Sequence, residues 1–221
     1  MTNAGALSLD AILGGTSALV KNGAATLTIN SISTFTGGTT LNTGTLALGG
    51  ANRLRTTGAL TQNAGVFDLG GFDQQLGTLT LVDGTIQNGN LSVTTLGLQN
   101  GTIDAVLANG GGLVTTALTK STTGTVTLTS ANTFAGTTTL LAGVLRAGDD
   151  AAFGTSALTL SGGKLSSVGA TARTFANNVT LGGDVTLGDA VDTGAITFSG
   201  NFATSASART VALLTDLTLN G

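Results

Sequence analysis

One stretch of this 221-residue chain occurs twice without a gap, 99 residues apart. Phe35-Thr36-Gly37-Gly38-Thr39-Thr40-Leu41 returns as Phe134-Ala135-Gly136-Thr137-Thr138-Thr139-Leu140. At the same offset Lys21 meets Lys120, Leu27 meets Val126, and Ile29 meets Leu128. Gly44, Leu46 and Gly49 likewise meet Gly143, Leu145 and Gly148. Self-similarity at a fixed period marks a repeat array, in which neighbouring units bury a common core. The copies run approximately over 18–116 and 117–215, and the chain reads as one continuous body. Leu217, Asn220 and Gly221 fall two periods after Leu19, Asn22 and Gly23, so a third copy is expected to open near residue 216.

Within the copies, short runs alternate apolar residues with Thr. Examples are Thr26-Leu27-Thr28-Ile29, Thr45-Leu46-Ala47-Leu48, Leu79-Thr80-Leu81, Thr125-Val126-Thr127-Leu128, Leu158-Thr159-Leu160 and Val185-Thr186-Leu187. Alternation places every second side chain on one face of a strand, predicting Leu, Ile and Val inside and Thr outside. Gly37-Gly38, Asp83-Gly84, Asn88-Gly89, Asn100-Gly101 and Gly162-Gly163 lie between runs and supply the left-handed φ angles of tight corners. No helical periodicity is sustained. A finer echo, Leu79 to Ile86 against Leu96 to Ile103, sets a strand–corner–strand unit every 17–19 residues. That is the size of one coil of a narrow β-solenoid, and it predicts about a dozen coils stacked at roughly 4.8 Å each.

Other all-β architectures fit less well. An antiparallel sandwich does not require identical corners at a fixed spacing. A membrane barrel wants strands of about ten residues and aromatic girdles, and Trp and Tyr are absent. Hydrophobic residues make up 41 %, which excludes a flexible Gly/Thr linker. The eight Lys and Arg are scattered and the net charge is −3, so nucleic acid is not an expected partner. No segment approaches the length of a spanning helix. Met1 to Gly5 has neither a basic start nor an apolar run, so a targeting signal is expected outside this chain.

The segment Thr125 to Leu140, followed by Ala142-Gly143-Val144-Leu145, resembles the autotransporter-associated β-strand repeat, also called the passenger-associated transport repeat. The first copy keeps Phe35, Thr36, Gly37, Gly38, Thr39, Thr40 and Leu41 with Gly44. It departs at Ser31-Ile32-Ser33, where the family pattern has Gly-Ala-Asn. The second keeps Phe134, Gly136, Thr138, Thr139, Leu140 and Gly143, with Thr137 in place of a Gly; both copies have Phe where the family favours Tyr. The resemblance implies a right-handed, single-stranded parallel β-helix from the passenger of a bacterial surface protein, outside the outer membrane.

Chemistry is sparse. His, Cys, Glu and Tyr are absent, which removes most acid–base and nucleophile arrangements, so no catalytic residue and no cofactor are expected. Asp149-Asp150 reads as a turn rather than a glycosidase pair. Asp184, Asp189 and Asp192 lack the tandem Gly-Gly-x-Gly-x-Asp pattern of calcium-binding rolls, and are expected as solvated corner residues, with no metal site. Lys21, Lys120 and Arg146 are expected as solvated surface charges. Phe35 and Phe134 are expected to pack in the core or at a corner.

Neither end carries an evident cap. Leu7 and Leu9 open in strand pattern and Leu217 and Leu219 close in it, which makes them candidate end-stacking strands. The expected function is a non-enzymatic stalk or spacer of an extracellular protein, its partners being neighbouring coils. Two alternatives are a filament subunit stacking end to end with copies of itself, and an adhesin module for host protein or glycan. The adhesin reading wants an insertion that breaks the coil rhythm, for which Asn109 to Gly112 is the candidate.

Overall fold

The computed structural model describes residues 5–109, 117–205 and 207–221. It contains two compact units, residues 1–114 and 115–221. Among the described residues every regular element is a strand. Each unit is a parallel β-solenoid whose chain visits three faces in turn before returning one rung further on.

In the first unit the first face stacks Leu19–Lys21, Thr39–Leu41 and Ala59–Gln62 in parallel, then positions 78–81 and 95–98 of two long strands, Val66–Leu81 and Thr85–Leu98. The second face stacks six rungs: Leu7–Leu9, Thr26–Ile29, Thr45–Leu48, the starts of the two long strands, and Gly101–Ile103. The second unit repeats the scheme. Leu118–Lys120, Thr138–Leu140, Leu158–Leu160, Val179–Leu181 and Phe202–Thr204 form its first face. Thr125–Leu128, Val144–Ala147, Lys164–Ser167, Val185–Leu187 and Val211–Leu213 form five rungs of its second.

Because the register is parallel, inward residues form columns. Leu27, Leu46, Phe67, Ile86 and Ile103 are stacked neighbours, and all are buried. The alternation of the sequence is the physical cause: one residue in two points inward, so an apolar column needs only period two within each strand. Thr departs from the expected pattern at Thr39 and Thr138. Both are buried, because they precede Thr40 and Thr139 by one residue and therefore take the inward parity shared with Leu41 and Leu140. Thr138 satisfies its hydroxyl by donating to the Phe153 carbonyl at 3.2 Å.

The corner between the first two faces explains the glycine spacing. Gly44, Gly65, Gly84 and Gly101 form a column, with φ of 73°, 79°, 103° and 117°. The Gly44 carbonyl accepts from Val66 N–H at 2.8 Å and the Gly65 carbonyl from Thr85 N–H at 2.9 Å. A Cβ on Gly65 would collide with the carbonyl of Gly44, and one on Gly84 with that of Gly65. Close carbonyl approach and left-handed φ both require glycine there. Gly143, at φ 71°, is the same corner in the second copy.

The spacing of 17–19 residues holds from Phe67 through Ile86 to Ile103. It also holds from Leu27 to Leu46 and from Val126 to Leu145, but some coils are longer: Leu165 pairs with Leu187, and Val185 with Val211. The lengthened coils carry a third-face sheet of Arg173–Phe175, Ile196–Phe198 and Leu217–Leu219. Leu217, two periods after Leu19, thus lies on the third face whereas Leu19 lies on the first. Phe153, Phe175 and Phe198 form a continuous ring stack on that face, with centroids 4.8 and 5.8 Å apart.

Replacing Leu27 or Val126, both buried, with Asp places an unpaired charge in an apolar column. The expected loss is roughly 3–5 kcal/mol, the usual cost of an uncompensated buried charge. Equilibrium denaturation of either variant checks this; an unchanged midpoint contradicts the inward assignment.

Candidate functional site

Lys21 and Lys120 are not the surface charges expected from sequence. Both are fully buried. Each sits two residues after an inward leucine, Leu19 or Leu118, so strand parity turns it inward as well. The Lys21 ammonium donates to the carbonyls of Asn22, Gly23 and Thr43 at 3.1, 2.6 and 3.1 Å. Lys120 donates to the Thr122 carbonyl and, at 2.9 Å, to its hydroxyl. Carbonyls at the tight corner point into the solenoid, and an unpaired buried carbonyl is costly. The long lysine stem fills the column while its head binds them. Two rungs along the same column, Gln62 Nε2 donates to the carbonyls of Gly65 and Thr85, each at 3.0 Å. Burial pushes both ammonium groups below the usual lysine range. These side chains serve the fold rather than a ligand.

The repeat-motif residues are placed as follows. Phe35, Thr39, Leu41, Phe134, Thr138 and Leu140 are buried; Thr40 and Thr139 lie outward of them. Gly38 holds φ of 79°, and a Cβ on Gly37 would strike the backbone of Ala18. Gly44 and Gly143 are the corner glycines described above. Gly136 is buried. Of the terminal strands, Leu7 and Leu219 are largely exposed, while Leu9 and Leu217 are half-buried.

The aspartates are more engaged than expected. Asp192, 3 % exposed, forms an ion pair with Arg146 and accepts from Gly169 N–H at 2.9 Å. Asp189 pairs with Lys164 at 2.7 Å, and Asp184 accepts from Thr210 N–H at 2.8 Å. The segment between Leu187 and Ile196 therefore folds back over the second face, pinned through Arg146 and Lys164. Solvated corners were the wrong reading for Asp189 and Asp192, because lengthened coils bring them over cations from earlier rungs. Asp149 accepts from Ala151 N–H at 2.8 Å in a turn. Among the described residues no group of three acidic side chains is placed to hold a metal ion. Of the segment Asn109 to Gly112, residues 110–112 lie outside the described residues. Among the described residues, breaks in coil rhythm fall in 188–195 and 207–210.

The first unit has a feature that the sequence reading missed. On its third face a groove runs between residues 31–38 and 52–59. One part, of about 490 Å³, is walled by Ile32, Ser33, Thr34, Leu54, Arg55 and Thr56. A second, of about 320 Å³, is lined by Thr36, Gly37, Arg55, Thr57 and Gly58. Arg55 belongs to both. It is exposed, and its Nε donates to Thr57 Oγ1 at 2.9 Å. Among the described residues, the corresponding place in the second unit is filled. Ser33 N–H donates to the Arg53 carbonyl and Asn132 N–H to that of Ala151, which sets Arg55 opposite Phe153 in the coil register. Phe153 is buried, and Asn132 reaches across to the Ala152 carbonyl at 2.7 Å. Ser33 is too short for that bond; its Oγ is buried without a partner.

The profile of the passenger-associated transport repeat matches residues 19–48 and 118–147. The chain carries two such repeats. Each match opens on the strand bearing the buried lysine and ends on the second-face strand of the next coil, Thr45–Leu48 or Val144–Ala147. An 84-residue stretch is 39 % identical to the "Adhesin BmaC autotransporter" of Brucella suis biovar 1 (strain 1330). That stretch is 38 % of this chain and 2 % of that adhesin, so the chain spans a small fraction of its relative's length. No solved structure matches. Among the described residues no helix is long and apolar enough to cross a membrane.

Lys21→Met keeps the stem and removes the ammonium, leaving three corner carbonyls to lose their donor. A loss of about 1–3 kcal/mol is expected in urea denaturation. For Asp189, the hydrogen bond from Lys164, with the Val191 N–H, holds the carboxyl below its ordinary range. Its contribution is therefore complete above the unfolded value near 3.8 and drains as pH falls through the lower folded value. Denaturation midpoints of wild type and Lys164→Met should differ at pH 7 and converge toward about pH 2; a gap that stays constant contradicts the pairing.

Proposed function

We propose that this chain is a segment of a bacterial surface passenger, exposed outside the cell, whose role is mechanical and non-enzymatic. Stacked coils serve as a spacer: their strands bond rung to rung, the apolar columns exclude water, and the exterior is Thr, Asn and Gly. The observation that carries this reading is the passenger-associated transport repeat, present twice on parallel, in-register coils. The spacer reading requires only what each unit already has, a core continuous from rung to rung.

A second reading is adhesive. It is favoured by the similarity of 84 residues to a protein named as an adhesin, and by the groove of the first unit.

The test is display. The chain is placed between an epitope tag and the translocating barrel of an autotransporter in a Gram-negative host. Antibody is expected to label the tag on intact cells, and external protease to remove it. Labelling that requires permeabilised cells overturns the surface assignment. In the same strains, adherence to host-cell monolayers equal to a tag-only control leaves the spacer alone; a clear gain supports the adhesive role.

A further inference from the structure

We propose that the third-face groove of the first unit binds a carboxylate-bearing glycan, with Arg55 as the anchor of the acid group. The proposal deepens the adhesive reading and rests on it for its biological setting.

The charge is the first argument. Of the eight cations, Lys21 and Lys120 are spent on backbone carbonyls, and Arg146, Lys164 and Arg173 face aspartates. The other three, Arg53, Arg55 and Arg209, form no ion pair among the described residues although the chain is net acidic, and of these Arg55 is the one that lines the groove. Its Nε is held by Thr57 at 2.9 Å, and the side chain lines both parts of the groove. With Nε so engaged, the terminal NH2 groups remain to meet a carboxylate by two hydrogen bonds.

The lining is the second argument. Ile32, 57 % exposed, makes with Leu54 an apolar wall and floor. Thr34, Thr36, Thr56 and Thr57 add hydroxyls along the same walls. An apolar patch edged by hydroxyls, with one cation, suits a sugar acid, which offers a CH face, a hydroxyl edge and a carboxylate. The two parts of the groove fall within the range of small-ligand sites.

An acidic peptide is the weaker fit. Extended peptides bind β-structures by adding main-chain hydrogen bonds to a free strand edge. Here the backbone of the groove is already used: Ser33 N–H binds the Arg53 carbonyl, Thr34 and Phe35 N–H bind that of Leu13, and Thr36 N–H binds that of Gly15. The comparison between repeats is the third argument. The second copy closes the same place with Phe153 and Asn132, so packing alone does not demand an arginine and an orphaned serine hydroxyl there.

The test titrates the full chain, by NMR, with a hyaluronan tetrasaccharide and with sialyllactose. Lactose and chitotetraose serve as neutral controls, and a tetra-aspartate peptide as an acidic one. At least one acidic sugar should bind, with shifts confined to residues 31–38 and 52–59, and neither neutral sugar should. Arg55→Gln, an exposed change with an unchanged unfolding midpoint, should weaken binding roughly tenfold or more, the loss of one charged contact. The double variant Ser33→Asn, Arg55→Phe, which copies the second repeat, should abolish it. Binding of neither acidic sugar, equal binding of lactose or chitotetraose, tighter binding of the aspartate peptide, or indifference to Arg55→Gln each overturns the proposal. The display experiment reads surface exposure independently of Arg55, so failure here leaves the spacer reading intact.

Discussion

Parallel, in-register stacking is the constraint on which everything else in this protein depends. Each strand takes its hydrogen bonds from the rung before and gives them to the rung after, so a residue is defined by the column it joins. A column tolerates any inward side chain that fills its volume and leaves no polar atom unpaired. Leu27, Leu46, Phe67 and Ile86 meet that demand by being apolar. Lys21 and Gln62 meet it differently, by filling with carbon and ending in donors that the corner carbonyls require. A polar residue in a core column is thus the partner of a backbone feature one turn away.

The corners follow from the same constraint. Stacking at the strand spacing brings each corner carbonyl against the next corner, and only glycine leaves room for it. Asparagines on the outer side extend the ladder: Asn42 Nδ2 donates to Asn22 Oδ1 at 2.6 Å and Asn63 Nδ2 to Asn42 Oδ1 at 2.7 Å. Where coils lengthen, stacking persists but the excess chain must go elsewhere. In the second unit it folds back as the segment pinned by Asp189 and Asp192, and it makes room for the ring stack of Phe153, Phe175 and Phe198.

What could be read beforehand was what repeats. The 99-residue period, the Thr-Leu alternation and the paired glycines carry strands, corners and the all-β class, because each is a local pattern with a single physical cause. The buried lysines were also legible in principle: Leu19-Val20-Lys21 and Leu118-Thr119-Lys120 put lysine on the parity of an inward leucine, twice, at the repeat offset. The charge of lysine argues for the surface, and strand parity overrides it. The pairing of Arg146 with Asp192 was not legible, since it joins residues 46 apart across coils whose lengths no longer follow the period. The groove was hidden for a related reason. Ser31-Ile32-Ser33 was visible as a departure from the repeat pattern, but its consequence appears only when the rung bearing Arg55 is set beside it.

That last point bears on how such an array acquires a site at all. The first two faces of each unit are fixed by columns, and a substitution there must satisfy rungs on both sides. The third face over residues 31–38 and 52–58 has no regular strand, so fewer backbone bonds bind its shape. A shorter side chain at Ser33, where the second copy has Asn132, removes one bond to the next rung; a charged residue at Arg55, where that copy has Phe153, removes a packed ring. Neither change disturbs the Leu27 or Leu60 columns, which remain fully buried beside the groove. The two repeats share one scaffold and differ where the scaffold constrains least, and a binding function separated from stability is expected at such a place.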